Sequence, residues 1–345
     1  MATFSSEGTP ISEYGEFGLI RHLTGAFPLH QKGSVLGVGD DAAVIRPQQE
    51  QIVITSDLLL EGVHFNLMYV PLKHLGYKAV VVNLSDVYAM MARPTQIIVS
   101  IGVSNKFRVE HLESLYEGIA LACRHYGVDM VGGDTSSSMT GLTISITAIG
   151  EVGKYPVLRK GAGEHDILCV TGDLGAAYTG LQVLKRENKL FQDDPSLKPE
   201  LDKYRYVVER QLKPEARKDL APLLENYNIR PTAMIDISDG LSSEALHICE
   251  QSDTGCRIYQ DKIPIDRETE STAKEFGLEP LIAALNGGED YELLFTLRPA
   301  DYEKVMQEQG IFPVGHITSK EQGTKLVSSS GSEIELQAQG WDALK

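Results

Sequence analysis

The chain of 345 residues carries 32 Lys and Arg against 48 Asp and Glu, which gives a formal net charge of −16 at pH 7. A hydrophobic share of 42% with 23% charged residues is typical of a folded globular protein, and the length predicts more than one domain. The acidic balance argues against nucleic acid or an anionic membrane as a partner, because such surfaces are bound through positively charged patches.

Short runs of β-branched residues alternate with helical periodicity in the first half of the chain, a pattern that predicts an α/β (α+β) protein with mixed layers. We predict an N-terminal domain at 1–150 and a C-terminal domain at 151–345, with a linker rich in Gly, Pro and Lys at 150–163. The predicted elements of the first half are strands at 52–54, 95–103 and 142–149 and helices at 76–92 and 109–126.

The second half begins with a strand that leads through Thr171-Gly172-Asp173 into a helix. A polar, proline-containing stretch at 188–199 is predicted to be a surface insertion. The predicted elements are strands at 167–170, 232–237 and 291–297 and helices at 175–186 and 241–251.

The cysteines lie far apart or at spacings that match no zinc or redox motif. No secretory leader precedes the acidic N-terminus, and the longest apolar runs fall short of the roughly 20 residues that span a bilayer. We therefore predict reduced thiols in a cytoplasmic protein without a transmembrane segment. The cysteines are Cys123, Cys169, Cys249 and Cys256.

Several clusters share one pattern, in which an apolar run ends in a turn of Gly or Ser that presents aspartates. Magnesium prefers oxygen ligands and usually reaches a protein through one or two carboxylates plus phosphates and waters. The clusters therefore predict sites for several Mg2+ ions, although any single cluster fits equally well with a role in capping helices and closing turns. The clusters are 37–41, 55–57, 83–86, 132–135 and 235–240.

Asp86 lies on one face of the helix predicted at 76–92, among mainly apolar residues at spacings of three and four. A carboxylate on a buried stripe needs a cation or strong hydrogen bonds, so we interpret Asp86 as a metal ligand. The alternative is a hydrogen bond to Ser85 or to neighbouring backbone. The face comprises Ala79, Val82, Asn83, Asp86 and Met90.

A phosphate-bearing substrate would be repelled by so acidic a protein unless divalent cations neutralised the carboxylates. No G-x-x-x-x-G-K-[ST] segment occurs, so a lysine-based phosphate loop is absent. Gly37-Val38-Gly39 only superficially opens a dinucleotide fingerprint, because Asp40 and Asp41 would face the pyrophosphate. These features predict an ATP-using enzyme that binds phosphates through metal ions.

The segment 287–293, Gly-Gly-Glu-Asp-Tyr-Glu-Leu, joins a tight glycine turn to a strand. Glu289 in this turn can accept hydrogen bonds from an amine-bearing or cationic substrate, although a hairpin turn with solvated acids fits the spacing as well. His64 follows Asp57 by seven residues, and a single histidine is more often structural than functional.

Taken in order, these clusters resemble the thiamine-monophosphate kinase family, within the larger group that includes aminoimidazole ribonucleotide synthetase. Thr55-Ser56-Asp57, His64 and the segment 287–293 carry the resemblance to the family itself better than the shared aspartates do. Further matching segments are 15–17, 37–43, 76–94, 132–135, 159–163, 170–172, 236–241 and 340–342. Residues 213–217 follow the family pattern only in part, so no site is assigned to them.

The resemblance implies a two-domain aminoimidazole ribonucleotide synthetase-like fold, in which N-terminal sheets pair across a homodimer and a C-terminal α/β domain completes the active-site cleft. It implies that ATP phosphorylates thiamine monophosphate to thiamine diphosphate by direct in-line transfer of the γ-phosphoryl group, with several Mg2+ ions and no phosphoenzyme. The N-terminal domain would bind ATP and metal and would form the dimer.

The resemblance also implies roles for individual residues. Metal binding falls on Asp41, Thr55, Ser56, Asp57, Asp86, Asp134, Asp236 and Asp239. Catalytic roles fall on Asp57, Asp86, Asp134 and Asp239. ATP contacts fall on Gly133, Asp134, Arg159, Ser238 and Tyr116. Thiamine contacts fall on His64, Glu289 and Trp341, whose aromatic ring suits a positively charged thiazolium.

Two other functions remain open from the residues alone. A relative in the same superfamily could use ATP to activate an amidine, selenide or thiocarboxamide substrate, although selenide activation normally requires an N-terminal cysteine and the first here is Cys123. A non-catalytic nucleotide-sensing module would bind ATP and metal without turnover. The aspartate prediction requires that Asp41, Asp57, Asp86, Asp134 and Asp236 converge around one cavity.

Overall fold

The computed structural model describes residues 8–40 and 42–338 and divides the chain into two compact units. The first unit comprises the chain up to Tyr88 together with Ala92–Tyr155, and the second comprises Ala89–Met91 and the chain from Pro156 onward. Both units combine helices with a β-sheet, which confirms the predicted mixed α/β class. In the described ranges no helix is both long enough and apolar enough to span a bilayer.

The first unit is built on a four-stranded sheet in the order β3-β6-β4-β5. Strand β6 is antiparallel to both of its neighbours, and β4 and β5 run parallel. A separate two-stranded sheet pairs β1 with β2. The elements are α1 (Gly15–Thr24), β1 (Ser34–Leu36), β2 (Val44–Ile45), β3 (Gln51–Leu60), α2 (Leu72–Ala89), β4 (Arg93–Val103), α3 (Val109–Tyr126), β5 (Asp129–Ser137) and β6 (Thr143–Val152).

Helix α3 has the bounds that its apolar spacing predicts, because Leu112, Leu115 and Ile119 recur on one face and are fully buried. The helix ends at Gly127, whose φ of 67° is the left-handed conformation that glycine adopts without strain. Its crossing with α2 is unusually close. A Cβ on Gly118 would lie 1.9 Å from the carbonyl oxygen of Lys73.

The second unit contains a seven-stranded sheet in the order β13-β12-β9-β11-β7-β10-β8. All neighbouring strands are antiparallel except β12 and β9. The strands are β7 (Ile167–Thr171), β8 (Ala233–Asp236), β9 (Thr254–Tyr259), β10 (Leu293–Leu297), β11 (Ile311–Ser319), β12 (Thr324–Val327) and β13 (Glu333–Glu335). The helices are α4 (Ala176–Asp193), α5 (Arg205–Leu212), α6 (Leu220–Asn226), α7 (Leu241–Ser252), α8 (Arg267–Glu275), α9 (Pro280–Asn286) and α10 (Pro299–Val305).

Apolar side chains cover both faces of strands β7 and β8 in this sheet. Along β7, Leu168 and Val170 belong to one buried cluster, whereas Cys169 between them belongs to another. Met234 and Ile235 alternate between the same two clusters along β8. Because successive strand residues point to opposite faces, the sheet carries a hydrophobic core on each side.

The structure corrects several sequence predictions. Residues 55–57 and 132–135 lie inside strands β3 and β5, and 83–86 lie inside helix α2, so none of these clusters is a turn. In β5, Gly133 allows close contact between strands instead, since a Cβ on it would lie 1.9 Å from the carbonyl oxygen of Val99. The stretch predicted as an insertion from 188 is helical up to Asp193, because no helix breaker occurs before Pro195.

Smaller corrections concern element bounds. Strand β6 continues through Val152, so the first three residues of the predicted linker, 150–152, are still part of the sheet. Strand β10 begins at Leu293 instead of 291, because Tyr291 has a φ of 52°, which no extended strand accommodates.

All four cysteines are buried and free.

Candidate active site

Strand β3 and helix α2 bring a carboxylate pair together in the first unit. The Thr55 hydroxyl donates a 2.6 Å hydrogen bond to Oδ2 of Asp86, and the Asp57 backbone N–H donates a 3.0 Å bond to Oδ1 of Asn83. Asn83 is itself fixed, because its side-chain amide donates to the carbonyl oxygen of Ala79 at 3.0 Å. Thr55 and Asp57 thus lie on the face of β3 that meets α2.

The charged form of the Asp57 carboxyl group is disfavoured in this position. Burial, and secondly the negative charge of Asp86, raise its pKa to about 6. A cation between the two carboxylates would offset both effects, and carboxylate with hydroxyl oxygen is the donor set that Mg2+ prefers. Thr55, Asp57 and Asp86 therefore fit a magnesium ion that takes its other ligands from phosphate and water. In the described part of the chain, no group of three or more His, Cys, Asp or Glu side chains is arranged to hold a metal ion.

Ser56 and Asp134 lie on the opposite face of the same sheet. The Ser56 hydroxyl is 3.2 Å from the carbonyl oxygen of Ile146 and 2.9 Å from the hydroxyl of Thr147. Asp134 pairs with Ser100 of β4, and across β6 this register reaches Leu58 of β3. Leu58 is two residues from Ser56 and therefore faces the same side of the sheet. Strands β3 and β5 are also the two edges of the sheet. Within this unit, Ser56 and Asp134 are therefore not brought to the Asp57 and Asp86 pair.

A pocket opens between α1, α3 and β5 in the same unit. Tyr116 is buried in its wall and hydrogen-bonds to Thr135, and burial raises the pKa of the phenol to about 12. The ring of Phe27 meets that of Tyr116 edge to face, at 6.2 Å between centroids. An apolar wall with a few polar groups at its rim suits a flat aromatic ligand. The lining residues are Ile20, Thr24, Val38, Val99, Tyr116, Met130, Gly132, Gly133, Asp134 and Thr135.

In the second unit, the predicted residue Asp236 ends β8, and the loop after it holds the predicted residues Ser238 and Asp239. Asp236 is buried, and the Asp239 backbone N–H donates a 2.9 Å hydrogen bond to Oε1 of Glu244 in the first turns of α7. Burial raises the pKa of Asp239, and the positive charges of His247 and Arg159 oppose that rise. Arg159 therefore lies within electrostatic range of Asp239.

Glu244 is a site residue that the sequence analysis missed. It is 1% exposed, and burial raises its pKa to about 8, with Asp239 and Asp236 adding to the rise. Its Oε1 accepts the Asp239 N–H, while its Oε2 is buried without a hydrogen-bond partner. In the sequence, Glu244 is an acid near the start of a predicted helix, five residues after Asp239. Such an acid is typical of helix capping, and this position was the one sequence feature that could have indicated Glu244.

The Gly-Gly-Glu-Asp-Tyr-Glu-Leu segment lies against the loop that carries Ser238. The backbone N–H of Glu289 donates to the Ser238 carbonyl at 2.7 Å, and that of Tyr291 donates to the Ile237 carbonyl at 2.9 Å. Gly288 must lack a side chain here, because a Cβ would lie 2.5 Å from the Ser238 carbonyl oxygen. Two motifs about fifty residues apart in sequence thus form one substructure.

This segment stores backbone strain. Glu289 and Tyr291 have φ values of 59° and 52°, in the left-handed region that non-glycine residues rarely adopt. Such a conformation costs on the order of 1 kcal/mol or more per residue and persists only where surrounding contacts enforce it. Strain of this kind clusters at functional sites, so the loop that contains Glu289 is a candidate substrate-binding loop.

The remaining predicted residues stand as follows. Nδ1 of His64 accepts a 3.1 Å hydrogen bond from the Leu60 backbone N–H, so His64 closes the turn after β3. This contact is the structural role that a lone histidine commonly has. Asp41 and Trp341 lie outside the described residues.

Comparison with known proteins agrees with this architecture. Residues 39–152 match the AIR synthase related protein, N-terminal domain, and residues 163–327 match the AIR synthase related protein, C-terminal domain. The fold is therefore that of an AIR synthase related protein of two domains, which confirms the predicted fold.

Individual relatives are more specific. Thiamine-monophosphate kinase of Aquifex aeolicus (strain VF5) is 33% identical, over 88% of this chain and 96% of its own length. Thiamine-monophosphate kinase of Buchnera aphidicola subsp. Schizaphis graminum is 36% identical, over 92% of this chain and 95% of its own length. A solved structure, AaThiL complexed with AMPPCP and TMP, has a TM-score of 0.73 at 31% identity and covers 97% of this chain and 99% of its own. The chain belongs to the thiamine-monophosphate kinase family, and the predicted enzyme class is confirmed.

Proposed function

We propose that the protein transfers the γ-phosphoryl group of ATP to thiamine monophosphate, giving ADP and thiamine diphosphate. The observation that carries this proposal is the similarity over nearly the whole chain to AaThiL complexed with AMPPCP and TMP. AMPPCP is an analogue of ATP, and in a thiamine-monophosphate kinase we interpret TMP as thiamine monophosphate. The strained loop at Glu289 and the carboxylate pair at Asp57 and Asp86 supply chemistry that suits such a reaction.

For the nucleotide, we propose that the adenine ring enters the pocket lined by Tyr116 and Thr135. Gly133, Asp134, Arg159 and Ser238 are the further proposed ATP contacts. Arg159 is the cation among them, lies within electrostatic range of Asp239 and suits a phosphate oxygen. These assignments place ATP and metal binding in the domain predicted at 1–150, with Arg159 and Ser238 contributed by the domain at 151–345.

For the metal, Thr55, Asp57 and Asp86 are proposed to hold Mg2+, together with Asp41, Ser56, Asp134, Asp236 and Asp239 as predicted from the resemblance. Bound magnesium would neutralise the charge of the two phosphate groups that must meet. Phosphoryl transfer depends mainly on positioning and charge neutralisation, so we propose direct in-line transfer without a phosphoenzyme. In that reaction Asp57, Asp86, Asp134 and Asp239 are the proposed catalytic residues, and they act by orienting the phosphates.

For thiamine, we propose contacts from Glu289, His64 and Trp341. The Glu289 carboxylate would attract the cationic thiazolium or accept a hydrogen bond from the aminopyrimidine. The protein is proposed to act in the cytoplasm, where ATP and Mg2+ are available.

We further propose a homodimer formed through the sheet of the first unit. Strand β3 is an edge strand, and on one face it exposes Ile52 (40%), Ile54 (67%) and Leu58 (50%). An exposed apolar edge is a liability unless another surface covers it. Sedimentation velocity on the wild type and on Ile54→Lys tests the proposal. We expect a dimer and a monomer respectively, and a monomeric wild type would contradict it.

The catalytic proposal is tested with purified protein, ATP, MgCl2 and thiamine monophosphate, by chromatographic detection of thiamine diphosphate. Parallel reactions contain unphosphorylated thiamine, aminoimidazole ribonucleotide precursors or selenide as the acceptor, or EDTA in place of magnesium. We expect thiamine diphosphate only with thiamine monophosphate and magnesium. Binding of ATP without turnover of any acceptor would favour the nucleotide-sensing alternative.

A further inference from the structure

A buried ion cluster lies directly behind the strained loop of the second unit. Glu292, which is 3% exposed, faces two guanidinium groups: Nη1 of Arg210 is 3.1 Å from its Oε1, and Nη1 of Arg217 is 2.8 Å from its Oε2. The Thr171 hydroxyl donates a third bond, at 2.7 Å, to Oε2. Every oxygen of this carboxylate is therefore engaged by a charged or hydroxyl donor.

Neighbouring sequence is adapted to the cluster. Gly172 leaves room for the carboxylate, since a Cβ at that position would lie 2.2 Å from Oε1 of Glu292. The Thr171 hydroxyl also accepts a 2.8 Å hydrogen bond from the Leu293 backbone N–H, which fixes the start of β10. Nη2 of Arg210 donates to the Asp173 carbonyl at 3.0 Å. The cluster thus connects α5, the segment after it, the loop after β7 and the end of the strained loop.

Stability alone does not account for such an arrangement. Desolvating two guanidinium groups and a carboxylate is costly, and apolar residues of similar volume commonly serve a core at least as well. A buried carboxylate with both oxygens bonded does, however, fix side-chain and backbone positions sharply. Its place in the chain is therefore informative: Glu292 is three residues from Glu289, the proposed thiamine contact.

Helix α5 reaches both acids of the loop through consecutive residues. Arg210 binds Glu292, and the side-chain amide of Gln211, which is 4% exposed, donates a 2.8 Å hydrogen bond to Oε2 of Glu289. The loop between these acids holds the left-handed residues Glu289 and Tyr291. On one side, backbone hydrogen bonds to the carbonyls of Ser238 and Ile237 hold the loop. On the other side, α5 holds it through Arg210 and Gln211.

We propose that Arg210, Gln211 and Arg217 are positioning residues that hold the strained loop so that the Glu289 carboxylate meets the thiamine part of the substrate. This proposal rests on the proposed function. None of the three residues needs to touch substrate; each acts through Glu289 or Glu292. The segment 213–217, to which the resemblance assigned no site, thereby gains a role through Arg217.

The test combines a measurement that needs no substrate with steady-state kinetics. Gln211→Leu removes the hydrogen bond to Glu289 at similar volume, and Arg217→Gln removes the ion pair with Glu292 together with the one that Arg217 makes with the more exposed Asp219. Arg205→Gln on the same helix is the matched control, because the Arg205 side chain is 77% exposed and pairs only at the surface with Glu209. Hydrogen exchange of the Glu289 and Tyr291 amides reports loop order, with the Phe295 amide in β10 as an internal reference.

We expect Gln211→Leu and Arg217→Gln to speed exchange at the loop amides and to raise the KM for thiamine monophosphate by about tenfold or more, the usual effect of losing a hydrogen bond to a charged group. The KM for ATP and the exchange of Phe295 should stay within about twofold. Arg205→Gln should change none of these quantities. Should Arg217→Gln fail to fold, Gln211→Leu decides the matter alone.

The outcomes separate the two proposals. Unchanged loop exchange in folded Gln211→Leu, or faster exchange with an unchanged KM for thiamine monophosphate, overturns the positioning role. A wild type that turns over no thiamine monophosphate overturns the proposed function, and with it the substrate half of the positioning role, whereas the exchange data would still show whether α5 orders the loop.

Discussion

The hydroxyl of Thr55 lies 2.6 Å from Oδ2 of Asp86 and donates a hydrogen bond to it, which joins strand β3 to helix α2. The bond orients the carboxylate of a helix that is otherwise largely buried. It also satisfies one lone pair of Asp86, and this contact differs from the Ser85 or backbone bond that the sequence left open. Together with Asp57, the Asp86 carboxylate would supply oxygen ligands to a metal ion.

Asp86→Asn should therefore reduce turnover of thiamine monophosphate by about three orders of magnitude while the fold is retained, since the amide preserves shape but lacks the charge that a metal needs. The measurement is kcat/KM at saturating magnesium, with circular dichroism to confirm folding. Asp193→Asn, at an exposed aspartate of α4, is the control. Near-normal activity of Asp86→Asn would remove Asp86 from the proposed catalytic set.

Magnesium affinity should depend on pH through Asp57. Burial and the charge of Asp86 raise the pKa of Asp57 to about 6, so below that pH the carboxyl is protonated and a metal ion must displace the proton. The apparent affinity should rise by up to about tenfold per pH unit below 6 and level off above it. Titration with Mn2+, followed by electron paramagnetic resonance between pH 5 and 8, measures this. Asp57→Asn should remove the pH dependence; a wild-type affinity that is constant across that range would contradict the assignment.

The sequence predicted local structure well where the residues of a single helix or strand were sufficient to determine it. Helix α3 has its predicted bounds because apolar spacing and Gly127 agree. The segment 132–135 was wrongly predicted as a turn, because glycine in sequence does not distinguish a bend from close strand contact, and at Gly133 the contact with Val99 is what requires it.

Contacts between distant residues were beyond sequence reasoning. Arg217 and Glu292 are 75 residues apart, and only the folded sheet brings them to 2.8 Å. Whether Asp134 shares a sheet face with Asp57 depends on strand register, and a bulge between Ile97 and Ile98 shifts that register in β4 and β5. No pattern in a single sequence specifies a bulge of this kind.

Asp290 should make stability depend on pH. It is 1% exposed and accepts hydrogen bonds from the backbone N–H groups of Gly175 at 2.7 Å and Ala177 at 3.3 Å, yet burial raises its pKa to about 7. Because the folded state then holds the proton more tightly than the unfolded state, the stabilisation is complete below roughly pH 4 and is lost as pH rises through about 7.

Asp290→Asn is always neutral, and its amide oxygen can still accept the Gly175 N–H. Relative to the wild type, its free energy of unfolding should therefore increase between pH 4 and 7, by an upper limit of roughly 4 kcal/mol. Urea denaturation at several pH values measures the difference, with the exposed Asp202→Asn as control. A difference that is constant with pH would show that the carboxyl does not titrate in this range.

The crossing of α2 and α3 should be intolerant of a single methyl group. A Cβ on Gly118 would lie 1.9 Å from the carbonyl oxygen of Lys73, and a Cβ on Gly76 would lie 2.0 Å from that of Leu115. Alanine favours a helix over glycine by about 1 kcal/mol, but separating two packed helices costs about 1 to 3 kcal/mol or more, so the clash should outweigh the gain in helix propensity.

Gly118→Ala and Gly76→Ala should each lower the free energy of unfolding, measured by urea denaturation, whereas Gly153→Ala should be nearly neutral because nothing lies within 4 Å of its added Cβ. The double variant Gly76→Ala with Gly118→Ala should cost less than the sum of the single variants, because helices already separated by one methyl group have room for the second. Additive effects would instead show that the two glycines relieve independent contacts. In that case a single close crossing would not be what holds α2, which carries Asp86, against α3.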